Sequence, residues 1–74
     1  MSKLPTLSGK ALIKALKNMG FEEIRIKGSH HFLKHRDNRC TVVPVHSGET
    51  IGKGLLSQIL KDCEITREDL LKKL

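Results

Sequence analysis

The chain has little of what stabilises secreted domains or crosses membranes. It holds two cysteines, Cys40 and Cys63, in 74 residues, whereas small disulfide-stapled domains usually carry four or more at close spacing. Its apolar runs fall far short of the ~20 residues that span a bilayer. The opening segment MSKLPTLSGK has no hydrophobic signal core. We therefore expect a cytoplasmic protein with reduced thiols and no membrane partner.

Aromatic residues are also scarce. The chain has no Trp and no Tyr, and we predict that its two Phe residues, Phe21 and Phe32, lie in the core. Exposed rings are the platforms on which single-stranded bases stack, so base stacking is not expected here. A chain this short buries only about 60% of its unfolded surface. We expect a thin core, a surface site and no deep pocket for a cofactor.

Positive charge is what the sequence has in excess. Lys and Arg number 14 against 8 Asp and Glu, which gives a formal net charge of +6. A basic surface on so small a domain favours a polyanionic partner: nucleic acid, an acidic protein or an anionic membrane face. Composition alone does not separate these partners from a solvated surface that is rich in lysine.

Apolar spacing and turn residues predict the secondary structure. A first helix is expected to begin at Ser8, whose hydroxyl can cap it, because Leu12, Leu16 and Met19 share one helical face. Gly20 can then supply the left-handed residue that ends a helix. The predicted main helices cover 8–19 and run from 52 or 53 to 62. The predicted strands are 23–27, 30–35 and 40–45, and a short helix begins at 66.

Short connections between the three successive strands favour an antiparallel meander. In the first strand Ile24 and Ile26 alternate with polar residues, which predicts that they face the core. The expected fold is α+β in a single domain over residues 1–74: a three-stranded antiparallel sheet with helices on one face, in the order αβββα plus a short C-terminal helix. Double-stranded-RNA-binding domains share this order, and they recognise A-form shape and phosphates.

Five sequence blocks carry a more specific resemblance. They are LSGK at 7–10, GF at 20–21, KGSHHF at 27–32, VPVHSGE at 43–49 and GKGLLSQIL at 52–60. In this order they closely resemble the HicA family of type II toxin–antitoxin systems over nearly the whole chain. The resemblance implies an endoribonuclease, an mRNA interferase that cleaves messenger RNA without a cofactor and is neutralised by a HicB-type antitoxin. We expect the free toxin to be a monomer.

The resemblance also implies that one histidine following Gly-Ser carries the chemistry. Two histidines follow Gly28-Ser29, and we favour His30 as the catalytic residue with His31 as the alternative. RNA has its own nucleophile in the 2′-hydroxyl, so a neutral imidazole can act as general base without a metal or a protein nucleophile. The expected products are a 2′,3′-cyclic phosphate and a 5′-hydroxyl. Lys27 and Lys34 are the nearby cations expected to stabilise charge on the phosphate.

The remaining histidines are expected to be structural. His35 ends a strand and His46 opens a loop. Zinc is not expected, because His31 and His35 are four residues apart on a strand, about 13 Å, whereas zinc ligands lie about 2 Å from the ion.

The lysines suggest how RNA would bind. Phosphate contacts should dominate, so affinity should be weakly selective for sequence and sensitive to salt. Two other functions stay open: a non-catalytic RNA-binding module with the same fold, and a domain whose main partner is an acidic protein. The candidate RNA-binding residues are Lys10, Lys14, Lys17, Lys27, Ser29 and Lys34.

Overall fold

The computed structural model describes residues 6–74 as three strands and three helices. The predicted α+β class and the order αβββα with a short C-terminal helix are confirmed, and element ends differ from the predictions by at most two residues. Residues 1–5, the first half of the segment assessed for a signal core, lie outside the described residues. The elements are α1 Gly9–Asn18, β1 Phe21–Lys27, β2 His30–His35, β3 Cys40–Pro44, α2 Lys53–Cys63 and α3 Arg67–Leu71.

The strands form one antiparallel sheet in the order β1-β2-β3. In the central strand β2, His31 lies opposite Ile26 of β1 and Val43 of β3. A bulge between Glu23 and Arg25 shifts the register of β1 against β2. β1 has one extra residue at this point, so the alternation of its side chains between the two faces of the sheet is broken there.

The core lies between one face of the sheet and the helices. α1 packs on β1 and β3, and α2 packs on β3. The opposite face of the sheet is open. The core side chains come from every layer and include Leu12 and Leu16 of α1, Leu33 and Val43 of the sheet, Ile59 of α2 and Leu70 of α3.

The start of α1 is held close to the sheet. The Ser8 hydroxyl accepts a hydrogen bond from the backbone N–H of Ala11 at 3.2 Å, as the capping pattern predicts. Gly9 follows, and a Cβ on this residue would come 2.5 Å from the carbonyl oxygen of Pro44. Only glycine therefore allows α1 to approach β3 this closely. At the other end of α1, Gly20 has the left-handed φ of +98° that the helix stop requires.

The end of α2 is tied to the segment before β3, and α3 is capped. Arg39, just before β3, donates a hydrogen bond of 2.7 Å from Nη1 to the carbonyl oxygen of Cys63 at the end of α2. Thr66 and Asp69 form a reciprocal capping box at the start of α3. The backbone N–H of Thr66 donates a hydrogen bond of 3.0 Å to Oδ2 of Asp69, and this bond, with a smaller contribution from the Thr66 side chain, lowers the pKa of the Asp69 carboxyl.

Three predicted core residues lie elsewhere. Ile24 and Ile26 are 58% and 57% exposed, so their predicted burial is wrong. The bulge breaks the alternation, and the helices leave this end of the edge strand uncovered. Phe32 is half-buried on the open face, where the Arg25 guanidinium carbon lies 5.9 Å from its ring centroid. Phe21 is a core residue, as predicted.

Candidate active site

The Gly28-Ser29 pair forms the turn from which the two histidines enter β2. Gly28 has a φ of +59°, a conformation that glycine adopts without a steric penalty. The Ser29 carbonyl accepts a hydrogen bond of 2.7 Å from the Val45 N–H, just after β3. The turn is therefore joined to β3 as well as to its own hairpin, which holds the start of β2 in place.

His30 and His31 point to opposite faces of the sheet because successive side chains of a strand alternate. His30 is exposed on the open face, and its backbone pairs with Lys27 and Pro44. Among residues 6–74, no side-chain hydrogen bond orients the His30 ring. His31 faces the helices, and its side chain is 20% exposed. His30 is thus exposed to solvent, and His31 lies at the edge of the helix layer.

His31 lies in a shallow groove of about 320 Å³ between α1 and the sheet. Three lysines of α1, Lys10, Lys14 and Lys17, line this groove. Their spacing of i, i+4 and i+7 puts them on one face of the helix. The row of three lysines spans about 10 Å along the helix axis, at 1.5 Å per residue. We call this the α1 groove. It places a row of cations beside a partly exposed imidazole.

Glu23 completes the α1 groove. Its Oε2 is hydrogen-bonded to Nδ1 of His31, and Lys17 Nζ lies 3.4 Å from its Oε1. The hydrogen bond with His31 holds the pKa of the Glu23 carboxyl below its usual range; Lys17 acts in the same direction, and burial opposes both. Glu23 is therefore a carboxylate near neutral pH. A neutral imidazole that donates Nδ1–H to this carboxylate keeps Nε2 as a proton acceptor.

The structure divides the predicted site residues into two groups. Lys10, Lys14 and Lys17 lie with His31, whereas Lys27 and Lys34 do not line the α1 groove. Lys34 shares the open face with His30, and Lys27 pairs with His30 along the backbone. The Ser29 backbone acts in the turn. Sequence reasoning missed Glu23, since the bulge that follows it is not visible in the alternating pattern.

The other reactive side chains lie outside the groove. His35 packs edge-on against Phe21, with ring centroids 5.1 Å apart, and its Nδ1 lies 3.2 Å from a carboxylate oxygen of Asp37. Both cysteines are free. Burial raises the pKa of the Cys63 thiol to about 12, so this thiol is not a nucleophile near neutral pH. Within residues 6–74, no cluster of three or more His, Cys, Asp or Glu side chains is placed to hold a metal ion.

The family model for the HicA toxin of bacterial toxin–antitoxin systems matches residues 9–65. The matched part runs from the start of α1 past the end of α2, and so contains the two histidines and the whole α1 groove. The chain belongs to the HicA toxin family. The resemblance carried by the five sequence blocks is thereby confirmed. Membership in a toxin–antitoxin family implies an antitoxin as partner of this HicA-family chain.

No curated protein matches this HicA-family chain significantly. In the described part of the chain, every helix is too short or too polar to cross a membrane.

Proposed function

We propose that this chain is a cytoplasmic endoribonuclease that cleaves messenger RNA and is neutralised by a HicB-type antitoxin. The observation that carries the proposal is the partly exposed imidazole of His31 beside the three lysines of the α1 groove. Lysines in a row suit the phosphates of RNA, and RNA supplies the 2′-hydroxyl as nucleophile. The free toxin is expected to be a monomer that needs no cofactor.

We assign the general base to His31. The sequence motif favours His30 as the general base, and this alternative assignment remains a prediction. The geometry gives His31 the stronger case, because its ring is oriented by a carboxylate and lies beside cations that can hold a phosphate. The imidazole of His30, on the open face, has Lys27 as its cross-strand neighbour, but among residues 6–74 no carboxylate orients its ring.

The proposed reaction is an internal transesterification. Nε2 of His31 takes the proton of a 2′-hydroxyl while the 2′-oxygen attacks the adjacent phosphorus. The bond from phosphorus to the 5′-oxygen breaks and water protonates the leaving oxygen, while the protonated His31 returns its proton to the hydroxide that this leaves in solvent. The products are a 2′,3′-cyclic phosphate and a 5′-hydroxyl. The α1 lysines stabilise the charge that develops on the phosphate oxygens.

A cleavage assay tests this function directly. The purified chain is incubated with a short RNA in EDTA, and the new ends are analysed by mass spectrometry. We expect cyclic phosphate and 5′-hydroxyl ends. The matched control is the same RNA with a single 2′-deoxy sugar at the cut site, which should stay intact there because the nucleophile is missing.

The assay also separates the second candidate function. The αβββα order supports a non-catalytic RNA-binding module, which would bind both RNAs equally and cut neither. Equal binding of both RNAs without cleavage would favour the binding module over the nuclease as the function of this chain.

RNA binding is expected to depend on the α1 lysines. Lys10→Ala combined with Lys14→Ala should weaken binding, because two phosphate contacts are lost. The slope of log affinity against log salt should become shallower by roughly 1 to 2. Fluorescence anisotropy over a salt series measures both quantities. Lys53→Ala combined with Lys61→Ala, which removes two exposed lysines of α2 outside the groove, is the control: an equal loss in this variant would show that binding follows net charge and not the groove.

A further inference from the structure

Glu23 is the one acidic residue among the side chains that line the α1 groove. Its two carboxylate oxygens have different partners: Oε2 bonds the imidazole of His31, and Oε1 lies 3.4 Å from Nζ of Lys17. The carboxylate therefore connects α1 to β2 through two side chains, and its side chain is only 21% exposed.

We propose that Glu23 is the positioning residue of the site and selects the ring nitrogen of His31 that accepts the proton. The inference rests on the proposed role of His31 as general base. Glu23 itself touches neither the RNA nor the reacting atoms. It acts through the orientation and the tautomer of the His31 ring.

The chemical reason lies in what a carboxylate can do. A carboxylate only accepts hydrogen bonds, so beside Nδ1 it favours the tautomer that carries its proton there. The lone pair of Nε2 is then available to the 2′-hydroxyl. Once Nε2 has taken a proton the ring is cationic, and the adjacent carboxylate stabilises that charge. The Ser-His-Asp triad uses an aspartate in the same way, as an orienting partner that is not itself protonated.

The surroundings of His31 make Glu23 the group able to do this. From α1, the charged groups lining the groove are Lys10, Lys14 and Lys17, which would repel a cationic ring. From β3, the backbone partner of His31 is the apolar Val43. A single negative charge from β1 thus offsets a row of positive ones. Lys17 in turn restrains the Glu23 carboxylate from its other side.

The first test reads the tautomer without any RNA. In the full chain, at a pH high enough for the His31 ring to be neutral, its ¹⁵N shifts should show a protonated Nδ1 and an unprotonated Nε2. Glu23→Ala should move the ring toward the tautomer protonated at Nε2. Glu23→Gln, whose amide oxygen can still accept from Nδ1, should keep the original tautomer. Glu22→Gln is the matched control, because Glu22 is exposed at the adjacent position of β1 and lies opposite Lys34 of β2 instead of His31.

The second test reads catalysis in the same variants. Glu23→Ala should lower kcat for RNA cleavage about tenfold to a hundredfold with little change in KM. Glu23→Gln should fall between Glu23→Ala and the wild type, because it preserves orientation and loses charge. Circular dichroism confirms that each variant is folded. If Glu23 had only a structural role, its replacement would change stability and leave the His31 tautomer and kcat/KM unaltered.

Two results would overturn the proposal. One is an unchanged His31 tautomer in Glu23→Ala; the other is a changed tautomer with kcat as in the wild type. A wild-type chain that does not cut RNA would overturn the proposed function instead, since the tautomer is measured without substrate.

Discussion

Replacing His31 with alanine should lower the rate of RNA cleavage by about 10²–10⁴-fold, the usual contribution of a positioned general base. The change removes the ring nitrogen that takes the 2′-hydroxyl proton. It leaves the α1 lysines in place, so RNA should still bind. Initial rates on an end-labelled RNA and binding by anisotropy measure the two effects separately. Growth inhibition on expression in bacteria should be lost together with cleavage.

His30→Ala is the control for this result. The two histidines are adjacent, but His30 is exposed on the open face, so its loss should change the cleavage rate only a few-fold. The reverse pattern, with His30→Ala inactive and His31→Ala active, would assign the base to the residue that the motif favours. If the double variant still cuts RNA, neither histidine is the base and the site lies elsewhere.

Leu33→Ala should lower the free energy of unfolding by about 2–5 kcal/mol, the range for a fully buried leucine. Leu33 lies in the central strand and has no exposed surface, so the change leaves a cavity between the sheet and the helices. A domain of this size loses about 4–8 °C of Tm per kcal/mol, so Tm should fall by roughly 10 °C or more. Urea titration gives the free energy and a thermal scan gives Tm.

Ile26→Ala is the matched control for Leu33→Ala. It also removes a branched aliphatic side chain from a strand of the same sheet, but Ile26 is 57% exposed. Exposed substitutions usually change stability by no more than about 0.5 kcal/mol. Similar losses in the two variants would contradict the exposure of Ile26 at the end of β1 that the helices leave uncovered.

The elements of this fold could be predicted from the sequence because their signals are local. Leu12 and Leu16 share a helical face whatever packs against it, and the hydroxyl of Ser8 reaches an amide only three residues away. The Thr66 box and the left-handed Gly20 follow the same logic. The five sequence blocks likewise indicated the HicA family, because residue identities in a fixed order need no knowledge of the fold.

The geometry of the site was decided only by the tertiary structure. Alternation along β2 requires His30 and His31 to face opposite sides, but which side meets the helices depends on how the sheet packs. The bulge after Glu23 breaks the alternation along β1, and both Ile24 and Ile26 are exposed in this part of the strand. The α1 groove is lined by residues of α1, β1 and β2, whereas the spacing of apolar residues in a sequence predicts only one element at a time. The contact of Glu23 with His31 therefore appears only when these elements are packed together.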